Sequence, residues 1–477
     1  MKRSILLMLG SLIITTGLLA QQFSDHPITG LPALTNAEAH WTDLDNNGFS
    51  DLLVSGQTDI GANYFNIFFN NGDGSFNAST AGITTLSKMK YGIADFNHDE
   101  FIDLLIAGEN GSGEASTTYY QNNKDATFSV TTGTLTQLKE GDIVTRDFDN
   151  DGDVDAIYSG RDDSGLRKTV AYRNENGVLK NQSIDLPDVA NGDIKAADLN
   201  NDGKTDLLIS GISNSATRIT QVFINEGNWS FVLSANSLTA TAFNKIAISD
   251  FDMNGSLDFV MTGIGDSGFE SLLYSNNNGV FSVTAIGLTA FASGQLGVAD
   301  FNGDQYPDIL IGGLTSGGLF ENQYLRSNGA GGFDLLASPL DQITNGTYAV
   351  ADYNQDGYSD VFYSGSRETD LFESLLENDT TYTIVPIATT GNLAAITSED
   401  TVMLSWDRIS NAISYNVYEK NMTTDSVIMM PEAELVSGTN KISGRGNVDF
   451  NQLRLEGLPE GNYEWQVQAI DASYKGS

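Results

Sequence analysis

The stretch DFDNDGDVD, Asp147 to Asp155, places five aspartates among nine residues, in a 477-residue chain whose formal net charge is −38. Like charges at that density need either free solvation or a cation among them. The stretch is one of seven. The others are DLDNNGFSD from Asp43, DFNHDEFID from Asp95, DLNNDGKTD from Asp198, DFDMNGSLD from Asp250, DFNGDQYPD from Asp300 and DYNQDGYSD from Asp352. Positions 1, 3, 5 and 9 are Asp or Asn throughout. They are Asp43, Asp45, Asn47 and Asp51; Asp95, Asn97, Asp99 and Asp103; Asp147, Asp149, Asp151 and Asp155; and Asp198, Asn200, Asp202 and Asp206. The remaining three sets are Asp250, Asp252, Asn254 and Asp258; Asp300, Asn302, Asp304 and Asp308; and Asp352, Asn354, Asp356 and Asp360.

Position 2 is always large and apolar: Leu44, Phe96, Phe148, Leu199, Phe251, Phe301 and Tyr353. In an extended chain, alternate side chains point opposite ways, so position 2 enters a core while 1, 3 and 5 converge. Gly at position 6 turns the backbone and presents the position-7 carbonyl, and Asp at position 9 closes the cage. An all-oxygen cage suits a hard cation taking about six to eight ligands, which predicts calcium, up to seven ions. Magnesium fits less well, because it keeps its waters in a strict octahedron. An EF-hand is excluded, since position 12 is Val54, Tyr158 or Tyr363 rather than Glu. The competing reading is a set of Asp-rich turns without metal, but a turn has no need of Asp at position 9. Glu100 and Gln305 stand where the other loops have Gly. Those two loops are expected to turn differently or to bind more weakly.

The elements that position these loops follow from the repeat. Loop starts are spaced by 52, 52, 51, 52, 50 and 52 residues. A short strand such as KIAIS enters each loop, and the last Asp opens an apolar strand ending in Gly, such as DLLVSG or DAIYSG. A variable loop, a third strand such as SLLYSNN, a turn such as NNNG and a fourth strand such as VFSVTAI complete the unit. Four antiparallel strands per unit predict an all-β chain with a seven-bladed β-propeller, closed so that no long edge is exposed. Either Phe23–Leu34 or Thr381–Ala388 is placed to complete the last blade.

The loops together with the D-apolar-apolar-apolar-x-Gly strands resemble FG-GAP/VCBS repeats, the family of the integrin α-subunit propeller, over about residues 22 to 388. The resemblance implies calcium at positions 1, 3, 5 and 9. It also implies an adhesion or recognition role, although some calcium-binding polysaccharide lyases have propeller folds. After Ala388 the sequence changes. TVMLSWDRISNAISYNVYEK and LRLEGLPEGNYEWQVQAIDASYKGS resemble a fibronectin type III domain, an immunoglobulin-like β-sandwich. Trp406 would sit on its second strand, Tyr415 and Val417 on one face of the third, and Tyr463 would be the hydroxyl donor of a tyrosine corner. This domain ends where a seventh strand is due, so it reads as incomplete and the native chain is expected to continue. The expected organisation is a signal peptide over 1–20, a propeller over 21–388 and the fibronectin-like domain over 389–477.

Composition narrows the function. Lys2 and Arg3, the apolar run Ile5–Leu19 and Ala20 read as a secretory leader, so no stable membrane insertion is expected after cleavage. There is no cysteine, hence no disulfide and no thiolate metal site. Asp and Glu number 62 against 24 Lys and Arg, which argues against nucleic acid as a partner. Histidines are His26, His40 and His98 only, and no nucleophile–base order, zinc spacing or phosphate loop stands out. His98, inside a loop, is expected to be solvated. Arg161, Arg167, Lys168 and Arg173 form a small basic cluster. The expectation is a secreted or cell-surface binding module for an extracellular glycan or protein, with no catalytic residue and no organic cofactor. The alternatives are a propeller-type polysaccharide lyase or hydrolase, and a passive spacer.

Overall fold

Continuous apolar runs such as DLLVSG read as strands buried on both faces, and each becomes the second strand of a four-stranded antiparallel sheet. The computed structural model describes residues 23–477 except 132, 380–386, 399–400 and 434–437. The expected leader, and most of the Thr381–Ala388 candidate strand, fall outside the described residues. All regular structure described is strand, so the chain is all-β. The first sheet runs Thr35–Thr42, Asp51–Gln57, Asn63–Asn70, Phe76–Ser79, in sequence order. Seven such sheets follow one another among the described residues, the fourth with its inner strand broken in two. Repeated four-stranded meanders of this kind are the arrangement of a propeller.

Closure is made by the N-terminus. Phe23–Asp25 pairs with Leu371–Asn378 as the outer strand of the last sheet. The first and last sheets then adjoin: Trp41 stacks on Tyr353 at 5.5 Å, within a core that also holds Leu34, Phe68 and Phe362. The position-2 residues fill the spaces between sheets as their polarity predicts, all at 0–1% exposure.

A buried clasp joins neighbouring sheets. The third strand ends in Asn, whose Nδ2 donates to the position-2 carbonyl of the preceding sheet. Asn122 reaches Leu44 O, Asn174 reaches Phe96 O, Asn225 reaches Phe148 O and Asn276 reaches Leu199 O, at 2.7–2.8 Å. Asn378 reaches Phe301 O, and Asn70 closes the circle on Tyr353 O, both at 2.9 Å. The sixth sheet has Ser327 instead, with a stretched 3.5 Å contact to Phe251 O. The sequence pattern offered these asparagines only as turn formers.

Each inner strand also carries one residue with left-handed backbone: Asn36, Lys88, Glu140, Asn191, Phe243, Ser293 and Asn345, at φ between 48° and 59°. The resulting bulge sets Glu38, Lys90, Asp142, Asp193, Lys245, Gln295 and Thr347 at one register position around the axis.

Beyond the repeats, two three-stranded sheets share one core. One is Ala394–Ser398, Thr401–Ser405, Gln452–Glu456; the other is Ser426–Met429, Ser414–Asn421, Tyr463–Ile470. Leu404, Trp406, Tyr415, Val417, Leu455 and Ala469 fill the space between them, and Tyr463 Oη donates to Pro459 O. This unit does not hang free. It sits on the face formed by the aspartate loops and touches all seven. Asp43 N–H donates to Lys441 O at 2.7 Å, Lys441 Nζ reaches Glu100 O, and Glu456 N–H donates to Asn150 O. Asp198 N–H donates to Asp449 Oδ2 and Asp300 N–H to Ala472 O, both at 3.0 Å. Arg408 and Lys475 pair with Asp250 and Asp352.

Candidate metal centres

Seven copies of one turn build the loops. Position 4 has left-handed backbone in every copy (Asn46, His98, Asn150, Asn201, Met253, Gly303, Gln355), and so has position 6. At position 6, Glu100 and Gln305 adopt φ of 72° and 74°, beside 83–100° for the five glycines. The second and sixth loops therefore keep the common turn and carry the strain of an L-residue, on the order of 1 kcal/mol each. The sixth loop has moved its glycine to position 4, Gly303.

The turn is knotted by carboxylates. In six loops the position-1 Asp accepts the N–H of positions 5 and 6, as in Asp147 with Asp151 at 3.2 Å and Gly152 at 2.8 Å, while Asp352 accepts that of position 6, Gly357, at 3.0 Å. The position-9 Asp has a structural partner set that the sequence did not suggest. Asp51 Oδ2 accepts Leu44 N–H and its Oδ1 accepts Asn70 N–H, both at 2.8 Å. Asp155, Asp206, Asp258 and Asp308 repeat this double clamp. In Asp103, Tyr119 Oη takes the place of the position-2 amide. Position 9 thus ties the loop to the third strand as well as facing the other acids.

Convergence is tightest in three loops. Ligand oxygens of Asp43, Asp45 and Asp51 lie within 4.8 Å of one another, as do those of Asp147, Asp149 and Asp151, and of Asp250, Asp252 and Asp258. In the third loop the close set is positions 1, 3 and 5, without Asp155. Burial, reinforced by neighbouring carboxylates, lifts Asp51, Asp206 and Asp258 to about 8, and Asp103 to about 7. It pushes Asp155, Asp308 and Asp360 well above the carboxylate range. At position 1, burial raises Asp43 and Asp250 to about 6, and Asp198 and Asp300 to about 7. Asp149 Oδ1, Asp352 Oδ1 and Asp360 Oδ2 are buried without a hydrogen-bond partner. Clustered hard oxygens, several of them orphaned, fit a divalent cation of the calcium type.

Side-chain cations already reach some loops. Arg173 spans Asp149 and Asp151 at 2.8 and 2.7 Å, Lys204 pairs with Asp202, and Lys124 with Asp99. Arg161 pairs with Glu140, and Lys168 with Asp162 at 2.8 Å, so the predicted basic cluster is dispersed among carboxylates. His98 is not solvated: its side chain is 8% exposed, 3.6 Å from Asp153.

The FG-GAP-like repeat family matches residues 95–158, 147–209, 198–261, 250–311 and 300–363. The chain belongs to that family. The first loop lies outside the matched FG-GAP-like segments yet has the same turn and the same acid cluster. No curated protein matches the chain. Among solved structures, it is similar to the BP39L lectin from Burkholderia pseudomallei, at 10% identity and a TM-score of 0.48, over 70% of this chain and 93% of that one. It is also similar to an exo-beta-1,3-galactanase from Phanerochaete chrysosporium, at 10% identity and a TM-score of 0.29, over 68% of this chain and 91% of that one. Likeness at this level carries no argument about activity.

Proposed function

We propose that this FG-GAP-like chain is a secreted or cell-surface recognition module: a seven-bladed propeller framed by calcium, with a fibronectin type III-like C-terminal domain, binding an extracellular glycan or protein. The observation that carries the reading is the unequal use of the two faces. The aspartate loops lie beneath the C-terminal unit. Among the described residues, the loops between second and third strands, at the opposite end of the meander, have no such cover and expose apolar tips: Ile60 at 84%, Leu166 at 56% and Leu319 at 55%. Phe243, near the start of the inner strand Thr241–Ser249 on that side, is 49% exposed. Exposed apolar tips on a rigid frame suit recognition.

The calcium role is supported by the converging acids of loops one, three and five. Calcium bound there would neutralise buried carboxylates and rigidify the turns; the chain's own residues supply the oxygen cage and its second layer of amides. A lyase or hydrolase would need an accessible acid–base pair. The nearest candidates, Asp142 and Asp193 around the axis, are held by Lys195 at 3.5 and 2.6 Å and accept the amides of Ile194 and Ile246. That arrangement favours structure over turnover.

The test is to screen the purified chain on a glycan array and against acidic polysaccharides. Binding without turnover, weakened by I60S/L166S/L319S, is the expected result. Appearance of an unsaturated uronate chromophore would replace this reading with the lyase.

A further inference from the structure

We infer that the C-terminal unit is a cation-sensitive cap: Arg408 and Lys475 hold it on the first-position aspartates of loops five and seven, and a divalent cation entering either loop competes with them. This rests on the metal role proposed for the loops.

In loop five, Arg408 Nη2 lies 3.3 Å from Asp250 Oδ2 and Nη1 lies 3.4 Å from Asn254 O. The guanidinium lies flat against Gly255, where a Cβ would stand 1.6 Å from Arg408 Nη1. The glycine that shapes the turn therefore also admits the cap. Asp250 is one of three acids whose oxygens fall within 4.8 Å of each other, so a bound ion would sit close beside the guanidinium. In loop seven, Lys475 Nζ lies 3.4 Å from Asp352 Oδ2. Asp352 Oδ1 and Asp360 Oδ2 there are buried and unpartnered. A divalent ion satisfies such oxygens better than one distant ammonium and repels that ammonium at the same time.

The ring's own cations behave differently. Lys124, Arg173 and Lys204 touch positions 3 and 5 of loops two to four, and their displacement moves nothing outside the ring. Arg408 and Lys475 belong to the cap. Coupling between two ligands of one equilibrium is reciprocal. Docking therefore weakens cation binding at loops five and seven, and the cation weakens docking. The cap also carries Ile442–Arg445 over a channel cavity of about 420 Å³, held there by Ser443 N–H on Trp41 O and by Arg445 on Ala196 O at 2.9 Å. Loosening the cap opens both the loop face and that cavity.

The experiment is a calorimetric titration of the full chain with calcium chloride, wild type against R408Q/K475Q, with hydrogen exchange followed at the amides of Ser443 and Glu456. The expected result is tighter binding at two sites in the double variant, by about tenfold, and faster exchange at both amides when wild type is loaded. R367Q, whose parent arginine pairs with Asp370 on the opposite face, should leave the isotherm unchanged. R408Q alone reports on loop five should the double variant fold poorly. Calcium uptake with superimposable isotherms and unchanged exchange overturns the cap while sparing the metal reading. Absence of uptake in both proteins overturns the metal reading and the cap with it.

Discussion

Lys245 Nζ, on the fifth sheet, lies 3.1 Å from Glu38 Oε2, on the first, across the axis of the ring. Lys90 of the second sheet reaches the same carboxylate. With Asp142, Asp193 and Lys195 these residues form a diaphragm of three acids and three lysines drawn from five sheets. Burial alone would raise Glu38, but Lys245 and Lys90 hold it well below the usual carboxylate range.

Replacing Glu38 by Gln leaves two lysines without their shared partner and should destabilise the ring by about 3 kcal/mol near neutral pH. Because the folded-state value is depressed, Glu38 contributes its stability above the unfolded-state value, and the contribution fades as pH falls through the folded one. Urea unfolding should therefore show a gap between E38Q and wild type that is wide at pH 7 and narrows at pH 3. A gap independent of pH would mean that packing, not charge, is what was lost.

The asparagine clasp predicts opposite effects at two equivalent positions. N276A removes donors to Leu199 O and Leu257 O and should cost about 2–3 kcal/mol. S327N restores the residue found in the other six sheets and should stabilise by about 1 kcal/mol, read as a higher melting temperature. A destabilised S327N would show that the sixth sheet has repacked around serine.

Two position-6 glycines separate turn strain from cap contact. G203A carries only the backbone cost, on the order of 1 kcal/mol, since the nearest atom to its Cβ is Arg454 N at 4.0 Å. G152A carries the same cost and drives a Cβ to 2.1 Å from Ile428 O. Limited proteolysis should release the C-terminal unit from G152A sooner than from G203A.

Calcium removal is the broadest prediction. At millimolar calcium, a site with Kd of ~10⁻⁴ M adds about 1.4 kcal/mol, and seven add roughly 10 kcal/mol. Chelation should lower the melting temperature by on the order of 10 °C. Equal melting with and without chelator would leave the loops as purely hydrogen-bonded turns.

The legible part of this molecule was whatever repeats. Strand order, the buried position-2 residues and the turn at Gly152 recur every 50 to 52 residues, so local chemistry announced the first two seven times and the glycine turn five times. Position 4 was legible too, since Asn46, Asn150, Asn201 and Gly303 are residue types that tolerate left-handed backbone. The clamp at Asp51 was not legible, because its two amide partners come from Leu44 and a strand that begins well beyond it. The cap was illegible for a different reason: Arg408, Lys441, Arg445 and Lys475 occur once each and carry no period. Closure was ambiguous because Phe23 and Thr381 stand at the same phase of the repeat; the pairing of Phe23–Asp25 with the strand ending at Asn378 is what the sequence alone did not show.

The short pairing of Phe23–Asp25 with the strand ending at Asn378 has a consequence for biogenesis. Asp25 meets Ser374, 349 residues away in sequence. A nascent chain cannot supply that last hydrogen-bonded rung until nearly the whole ring has been synthesised, so its leading residues must wait, unpaired, for the trailing ones. The seam works as a delayed latch: a partly made chain stays open and threadable, and only the finished one locks.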